Sequence, residues 1–173
     1  MEHAFVPQEA RCEIGYSSSI SRLVLKDGFD YRGIANIAHL GTDTITEPDI
    51  VNFVNCTGMV EVLFTNLEFL KEESDLKGRP SPGALVFCFA EGLLTQATMQ
   101  HTGFAFLNME FDIKGPVIAG DTIHVECEVI ESRRSKNRPN RGLVRTRNTV
   151  RKQDGSVVMV YTPLRMVAAR TTG

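Results

Sequence analysis

The sequence predicts a single α+β domain, in which an antiparallel β-sheet wraps round one long central helix. Two patterns predict it. Residues 82–100 are apolar on nearly every side, which is typical of a buried helix rather than a surface helix. After residue 103 the hydrophobic period changes to two, and four strands follow one another. A run of strands after a run of helices favours α+β over an alternating α/β layout.

The central helix has clear signals at its start. Ser81 is a good N-cap residue, and Pro82 in the first helical position is preorganised for a helix. Glu91, Gly92 and Thr95 interrupt the apolar run, so we do not expect a membrane span. The side chains that make the helix apolar all round are Leu85, Val86, Phe87, Cys88, Phe89, Leu93, Leu94 and Ala97.

The chain before the central helix carries weaker signals. We treat 1–173 as one domain, with 1–40 as an N-terminal extension of uncertain structure; within it, 20–25 and 34–40 are short strand candidates. Thr46 with Asp49 three residues later matches a capping box and predicts an amphipathic helix that ends near Gly58. Residues 59–65 are predicted as a loop, 66–70 as a short helix and 72–80 as an exposed connection.

The predicted strands cover 105–112, 122–133, 142–152 and 157–167. In the first, Ala105, Leu107, Met109 and Phe111 alternate with more polar positions. Residues 133–141 are predicted as a polar loop. Asp154-Gly155 is a strong hairpin signal between the last two strands.

Composition excludes several classes of function. A net charge of −2 argues against a general polyanion binder, so we expect no nucleic acid partner. The first twenty residues contain charges and no apolar core of a signal peptide. Four cysteines show no metal-ligand spacing; two of them, Cys88 and Cys127, are predicted core residues. We therefore expect a cytoplasmic protein with no metal and no membrane association.

Three motifs together resemble the MaoC-like hydratase/dehydratase family, whose members have the hot-dog fold. TITEPDIVNFVNCTG is similar to the entry segment of that family, and GRPSPGALVFCFAEGLL to its central helix. AGDTIHVECEVIESRRSKNRPNRGLVRTRNTVRKQDGSVVM is similar to its GDTI strand, basic loop, third strand and DG hairpin. The resemblance covers roughly residues 41–167.

This resemblance implies (R)-specific addition of water to an enoyl thioester, or the reverse dehydration. It implies that the thioester carbonyl sits against a backbone N–H at the start of the central helix, at Gly83 and Ala84. Helix N-termini suit this role, because their N–H groups lack partners and carry partial positive charge. Asn55 is a further candidate for substrate binding, or else it caps the end of its helix. The resemblance implies no cofactor beyond the coenzyme A or acyl carrier of the substrate.

The sequence departs from the family where the chemistry is expected. The family loop TGDxNPLHxD carries the aspartate and histidine that act on water, but this chain has TGMVEVLFTN. Met59 takes the aspartate position and Phe64 the histidine position, and neither side chain can transfer a proton. We therefore expect the fold and a thioester-shaped site with an altered mechanism.

Two carboxylates are candidate catalytic groups. Glu61, two residues after Met59, could replace the missing base, or it is an ordinary solvated loop carboxylate. Glu91 lies about two helical turns after Gly83. It could activate water, as a carboxylate on this helix does in hot-dog thioesterases of another branch, or it is held by arginine side chains or at a dimer contact.

A basic cluster occupies the predicted loop at 133–141. Its cations could bind the phosphates of a coenzyme A thioester, or form ordinary solvated pairs with glutamates. The cluster consists of Arg133, Arg134, Lys136, Arg138 and Arg141.

Three functions remain open from the sequence. The first is an acyl-thioester hydratase/dehydratase homologue that acts on or binds enoyl- or 3-hydroxyacyl-CoA with an altered site. The second is a noncatalytic acyl-binding subunit of a heteromeric dehydratase, and the third is an acyl-CoA thioesterase that uses Glu91. A single hot-dog unit is expected to pair sheet edges as a homodimer, or as a heterodimer with another hot-dog chain.

Overall fold

The computed structural model describes residues 38–169 and has the predicted α+β architecture. The strand candidate at 20–25 lies outside the described residues, as does most of the extension. The strands are β1 Ala38–Thr44, β2 Gly103–Ile113, β3 Thr122–Arg134, β4 Arg141–Lys152 and β5 Val157–Ala168. The helices are α1 Glu47–Thr57, α2 Val62–Thr65, α3 Leu67–Glu73 and α4 Gly83–Thr98.

The strands form one five-stranded antiparallel sheet in the order β1-β3-β4-β5-β2. The turn at 153–156 joins β4 and β5, as the Asp154-Gly155 signal predicts, and Gly155 has φ 83°. Asp154 accepts hydrogen bonds from the backbone N–H and the hydroxyl of Ser156. β2 follows α4 in the chain but lies at the far edge of the sheet, beside β5.

The core lies between the sheet and one face of α4. The central strands contribute fully buried Ile123, Val125, Val150 and Met159. From the helix, the buried side chains are Leu85, Val86, Ala90, Leu94 and Thr98.

Within residues 38–169 the opposite face of α4 is not covered, so the sheet packs against one face of the helix, where every side was expected to be enclosed. Ala84, Thr95 and Gln96 are exposed there. Cys88 is exposed as well, so its prediction as a core residue was wrong, whereas Cys127 is fully buried. None of the helices among residues 38–169 has both the length and the apolarity that crossing a bilayer requires.

Helix starts follow the predicted caps at α1 but not at α4. The capping box of Thr46 and Asp49 is present at α1, and Gly58 ends that helix in the left-handed region with φ 72°. Pro82, not Ser81, occupies the N-cap of α4, and no side chain caps this helix. The hydroxyl of Ser81 instead contacts the carbonyl oxygen of Pro82.

The connection between α1 and α4 is more helical than predicted. Residues 62–65, expected as loop, form the single turn α2, whose N-cap Glu61 accepts a hydrogen bond from the Leu63 N–H. The next helix, α3, extends to Glu73, beyond the predicted end at 70. Asn66 caps α3, accepting from the N–H groups of Glu68 and Phe69.

β2 is an edge strand with apolar side chains that the other described residues, 38–169, leave uncovered. A β-bulge between Phe106 and Asn108 shifts the register, so the predicted face of Ala105, Leu107, Met109 and Phe111 does not form. The register places Phe106, Met109, Phe111 and Ile113 beside inward positions of β5. Three of these retain large exposed fractions: Phe106 47%, Phe111 39% and Ile113 54%.

Asp121 joins the turn before β3 to the end of β4. Its carboxylate accepts hydrogen bonds from the Ile118 N–H at 2.9 Å, from Gln153 at 2.9 Å and from Lys152 at 3.1 Å. Burial by itself raises the pKa of this carboxyl, but the three hydrogen bonds and the lysine charge outweigh it, so the pKa is lowered.

We expect Asp121→Asn to destabilise the fold by roughly 2 kcal/mol at pH 7, because hydrogen bonds to a charged group are lost. A carboxyl whose pKa is lower in the folded than in the unfolded state stabilises the fold at pH values above its unfolded-state pKa. This stabilisation is lost as the pH falls through the folded-state pKa. The difference from wild type should therefore shrink below about pH 4 in urea unfolding at several pH values. Asp75→Asn, at an exposed carboxylate, is the control; a gap that persists at low pH would contradict this account.

Candidate functional site

The start of α4 opens into a small apolar cavity. Its volume is about 280 Å³, and its lining includes Ser81, Gly83, Val86, Ile113, Val117 and Met159. Leu85 and Val86 both donate their N–H groups to the Pro82 carbonyl. The N–H groups of Gly83 and Ala84 precede these bonds and, by helix geometry, have no partner within the helix. Of these two residues Gly83 lines the cavity and Ala84 does not, so one donor and the positive end of the helix dipole lie beside it.

Gly83 is packed closely against the last residue of β2. A Cβ atom built at Gly83 would lie 2.6 Å from Cδ1 of Ile113, a distance that real Cβ contacts do not reach. Glycine therefore leaves room for the end of the Ile113 side chain, which is half exposed and would have to move aside for a larger residue at position 83.

The loop at 57–66 contains no aspartate or histidine in the described structure. Met59 is exposed, with 39% of its surface accessible, and Phe64 is half-buried against the core. The carboxylate of Glu61 caps α2. This is a structural role, whereas one of the two alternatives from the sequence was a replacement catalytic base. Of the histidines whose side chains are described, His101 follows α4 and His124 lies on β3.

Arg79 fixes this loop beside the start of α4. Its guanidinium donates to the Phe64 carbonyl oxygen and, at 3.1 Å, to the carboxylate of Glu47 at the start of α1. The backbone next to it is held as well, since Ala119 donates to the Arg79 carbonyl and Ser81 to the Val117 carbonyl. The sequence did not single out Arg79, because its partners lie on two other elements.

Glu91 is held in a partly buried ion pair with Arg165 of β5. One guanidinium nitrogen of Arg165 donates to both carboxylate oxygens, at 2.6 and 2.7 Å, and the Tyr161 hydroxyl donates to one of them at 2.8 Å. The side chains of Arg165 and Glu91 are 4% and 19% exposed. This arrangement matches the expected alternative in which arginine holds Glu91.

Aromatic rings surround the ion pair. The Arg165 guanidinium lies 5.1 Å from the ring centre of Phe106, and the Phe87 ring meets the Tyr161 ring edge-on at 5.2 Å. Burial, and next the negative charge of Glu91, raise the pKa of Tyr161 well above its usual value. Tyr161 therefore stays protonated and acts as a donor to Glu91 at physiological pH.

The basic loop lies at the other end of the molecule from Gly83. Ala169 donates to the Asn140 carbonyl and Ala168 to the Thr102 carbonyl, so the loop is beside the C-terminal end of α4. Arg133 pairs with Glu131 at 2.9 Å, and Arg134 donates to the Pro139 carbonyl. Within one chain, the predicted binding residues Arg133, Arg134 and Lys136 are not brought together with Gly83 and Ala84.

The remaining candidates show no shared ligand geometry in the described residues. Asn55 is exposed on α1, and neighbouring Thr57 donates to the Phe53 carbonyl, as a helix-end residue does. Among residues 38–169, no three His, Cys, Asp or Glu side chains are arranged to hold a metal ion. The sequence-based predictions did not include Arg165. Its position is separated by even numbers of residues from inward-facing Tyr161 and Val167 on β5, and an arginine on the inward face of a strand indicates a buried partner.

A family profile described as "FAS1-like, dehydratase domain region" matches residues 34–161. The chain belongs to the MaoC-like hot-dog family. The expected family and fold are therefore confirmed. A comparison with curated proteins found no significant match.

Solved structures support the same fold. A protein described as a MaoC domain dehydratase from Chloroflexus aurantiacus is 26% identical, with a TM-score of 0.73 over 84% of this chain and 42% of that one. The (R)-hydratase PhaJ1 from Pseudomonas aeruginosa is 22% identical, with a TM-score of 0.63 over 79% and 83%. A Mycobacterium tuberculosis protein described as a double hot-dog fold is 18% identical, with a TM-score of 0.72 over 81% and 44%.

We expect Glu91→Gln to lower the free energy of unfolding by about 3 kcal/mol, because Arg165 keeps a buried charge without a countercharge. Urea unfolding measures the loss. The double variant Glu91→Gln with Arg165→Leu should recover much of it, since the lone charge is gone and Gln can still accept from Tyr161. Equal destabilisation of the single and double variants would show that the ion pair is not what holds α4 to β5.

Proposed function

We propose that this chain is an acyl-thioester hydratase/dehydratase homologue that binds, or acts on, enoyl- or 3-hydroxyacyl-CoA with an altered active site. The observation that carries the proposal is the start of α4 in a MaoC-like fold. Gly83, whose N–H has no partner within the helix, lines a small apolar cavity, which suits a thioester carbonyl with a short acyl group beside it. A charged or strongly polar substrate fits this lining poorly.

Hydration of an enoyl thioester adds hydroxide to the β-carbon and a proton to the α-carbon. The backbone donors at the start of α4 can stabilise the enolate oxygen that develops meanwhile. A proton-transfer group is also required, and Met59 and Phe64 cannot supply it. Glu61 is the nearest carboxylate along the loop, and it would have to release the Leu63 N–H before it could act as a base.

A second candidate function is a noncatalytic acyl-binding subunit that pairs with a catalytic hot-dog chain. Two observations favour it. The loop keeps its place through Arg79 although its proton-transfer positions are apolar, and next to Gly83 β2 presents an edge that the described residues leave uncovered. The match to about half of a double hot-dog chain also supports pairing of two such units.

The thioesterase alternative receives less support from the geometry. Both oxygens of the Glu91 carboxylate contact Arg165, and the Tyr161 hydroxyl takes a further acceptor site. A general base needs a lone pair directed at water, so this pairing would have to break during each turnover. If the wild-type protein hydrolyses acyl-CoA and Glu91→Gln lowers that rate by roughly two to four orders of magnitude, the thioesterase alternative would be supported after all.

We expect Met59→Asp with Phe64→His to create or increase hydration of crotonyl-CoA, because the pair restores the groups that act on water. Met59 is exposed enough for a carboxylate to be tolerated, whereas Phe64→His removes apolar contacts from the core. Loss of the enoyl absorbance measures the reaction. The matched control is Met59→Asn with Phe64→Gln; equal rates in both double variants would reject the proton-transfer explanation.

We also expect the protein to be a dimer, or a multiple of one, or to bind a second hot-dog chain. A long apolar edge strand is an aggregation hazard unless something covers it. Leu107→Lys, at an exposed position of the β2 bulge, should weaken the association measured by sedimentation. Ile130→Lys, exposed on β3 away from this edge, should not. A wild-type monomer at micromolar concentrations, with or without a candidate partner, would contradict the proposal.

A further inference from the structure

The apolar lining of the cavity at the start of α4 contains one polar side chain. Among the described residues that line the cavity, only Ser81 carries a side-chain hydrogen-bond donor; the others are glycine, proline, aliphatic residues and one methionine. In a mostly apolar pocket, a few polar groups fix the orientation of the ligand. The hydroxyl of Ser81 is therefore a candidate for contact with a polar atom of the acyl ligand.

This hydroxyl is buried, and its bond within the chain is weak. Ser81 is 9% exposed. Its oxygen lies 3.3 Å from the carbonyl oxygen of Pro82, which is longer than the usual range for a hydroxyl donor. The same carbonyl already accepts from the N–H groups of Leu85, at 2.9 Å, and Val86, at 3.2 Å. A buried donor with so poor a partner gains free energy when a ligand oxygen accepts its hydrogen bond.

The backbone holds Ser81 in place without using the hydroxyl. The Ser81 N–H donates to the Val117 carbonyl at 2.8 Å, and Ala119 donates to the Arg79 carbonyl at 2.9 Å just before it in the chain. Pro82, which follows, has no N–H and a restricted φ. No side chain caps α4, so the hydroxyl does not serve the helix as a cap. The position of this donor is therefore set before any ligand binds, which lowers the entropy cost of binding.

Gly83, two residues after Ser81, supplies a donor of a different kind. Its N–H has no partner within the helix, and the residue lines the same cavity, whereas Ala84 does not. A carbonyl oxygen has two lone pairs and can accept two hydrogen bonds. One side-chain donor and one backbone donor beside an apolar cavity match the needs of a carbonyl oxygen next to an apolar acyl chain.

We propose that the Ser81 hydroxyl is the second hydrogen-bond donor to the thioester carbonyl, beside the Gly83 N–H. The inference rests on the proposed function, because it takes the ligand to be an acyl thioester. It gives Ser81 a binding role and no proton-transfer role, since a serine hydroxyl reacts only when an adjacent base activates it, and no described residue of the cavity lining is a base. The site then distinguishes ligands with an oxygen at this point from ligands without one.

The first test compares two ligands that differ only at the carbonyl. Butyryl-CoA has the carbonyl oxygen, and the thioether S-butyl-CoA has a methylene group in its place. Ser81→Ala should weaken butyryl-CoA binding by about fivefold, the scale of one neutral hydrogen bond, and leave S-butyl-CoA binding unchanged in calorimetry. Thr95→Ala removes an exposed hydroxyl from the same helix and should change neither affinity. An equal loss for both ligands in Ser81→Ala would show a structural role for the hydroxyl and overturn the inference.

Ser81→Cys tests the same point without leaving a space at position 81. The cysteine side chain is similar in size, but its S–H group is only a weak donor. Its affinity for butyryl-CoA should fall while its affinity for S-butyl-CoA is kept. Full butyryl-CoA affinity in Ser81→Cys would contradict the proposed hydrogen bond.

The second test measures the hydrogen bond itself. A hydrogen bond to a carbonyl oxygen lowers the stretching frequency of that carbonyl, which infrared difference spectroscopy detects for butyryl-CoA with an isotopically labelled thioester carbonyl. The band of the bound ligand should move to higher frequency in Ser81→Ala and stay in place in Thr95→Ala. The same frequency in Ser81→Ala and the wild-type protein would overturn the inference.

The outcomes also separate this inference from the proposed function. If neither ligand binds the wild-type protein, both are rejected. If both ligands bind and Ser81→Ala changes neither affinity, thioester binding stands and the role of Ser81 is rejected.

Discussion

The ion pair between Glu91 and Arg165 determines how the helix is fixed on the sheet. It joins residues 74 positions apart in the chain, at the seam where α4 borders β5 and β2. Because Arg165 is almost completely buried, the pair is costly to break and favours the rotation of α4 that turns Glu91 towards β5. That rotation decides which side of the helix faces the core and which side remains open next to β2.

This placement of α4 leaves its open side next to the apolar side chains of β2. The Phe87 and Phe111 rings are 5.7 Å apart, and Ile113 packs against Gly83, so the end of β2 lies beside the first turns of α4. The residues of one chain that the structure describes nevertheless leave Phe106 and Ile113 about half exposed. An apolar helix and an uncovered edge strand are both explained if a second hot-dog unit completes the structure.

Signals from residues close in sequence predicted most of the fold, whereas features that depend on contacts between distant residues were not predicted. The capping box at Thr46, the hairpin at Asp154 and the strand periodicity each depend on residues close in sequence, and the structure has all three. The bulge near Leu107, by contrast, depends on pairing with β5, so the simple alternation failed there. The separation of the basic loop from the start of α4 likewise follows from strand register, which no motif encodes.

The altered loop changes the physics of the proposed site as well as its chemistry. If the loop meets the ligand as the proposed function requires, a carboxylate at position 59 would bring negative charge towards an oxygen that itself carries partial negative charge. Met59 would bring no such charge, and Phe64, which packs against the core, would keep that side of the ligand apolar. Under the proposed function, these two residues therefore favour retention of a thioester over addition of water to it. A subunit that holds the acyl group while its partner performs the chemistry would need this balance.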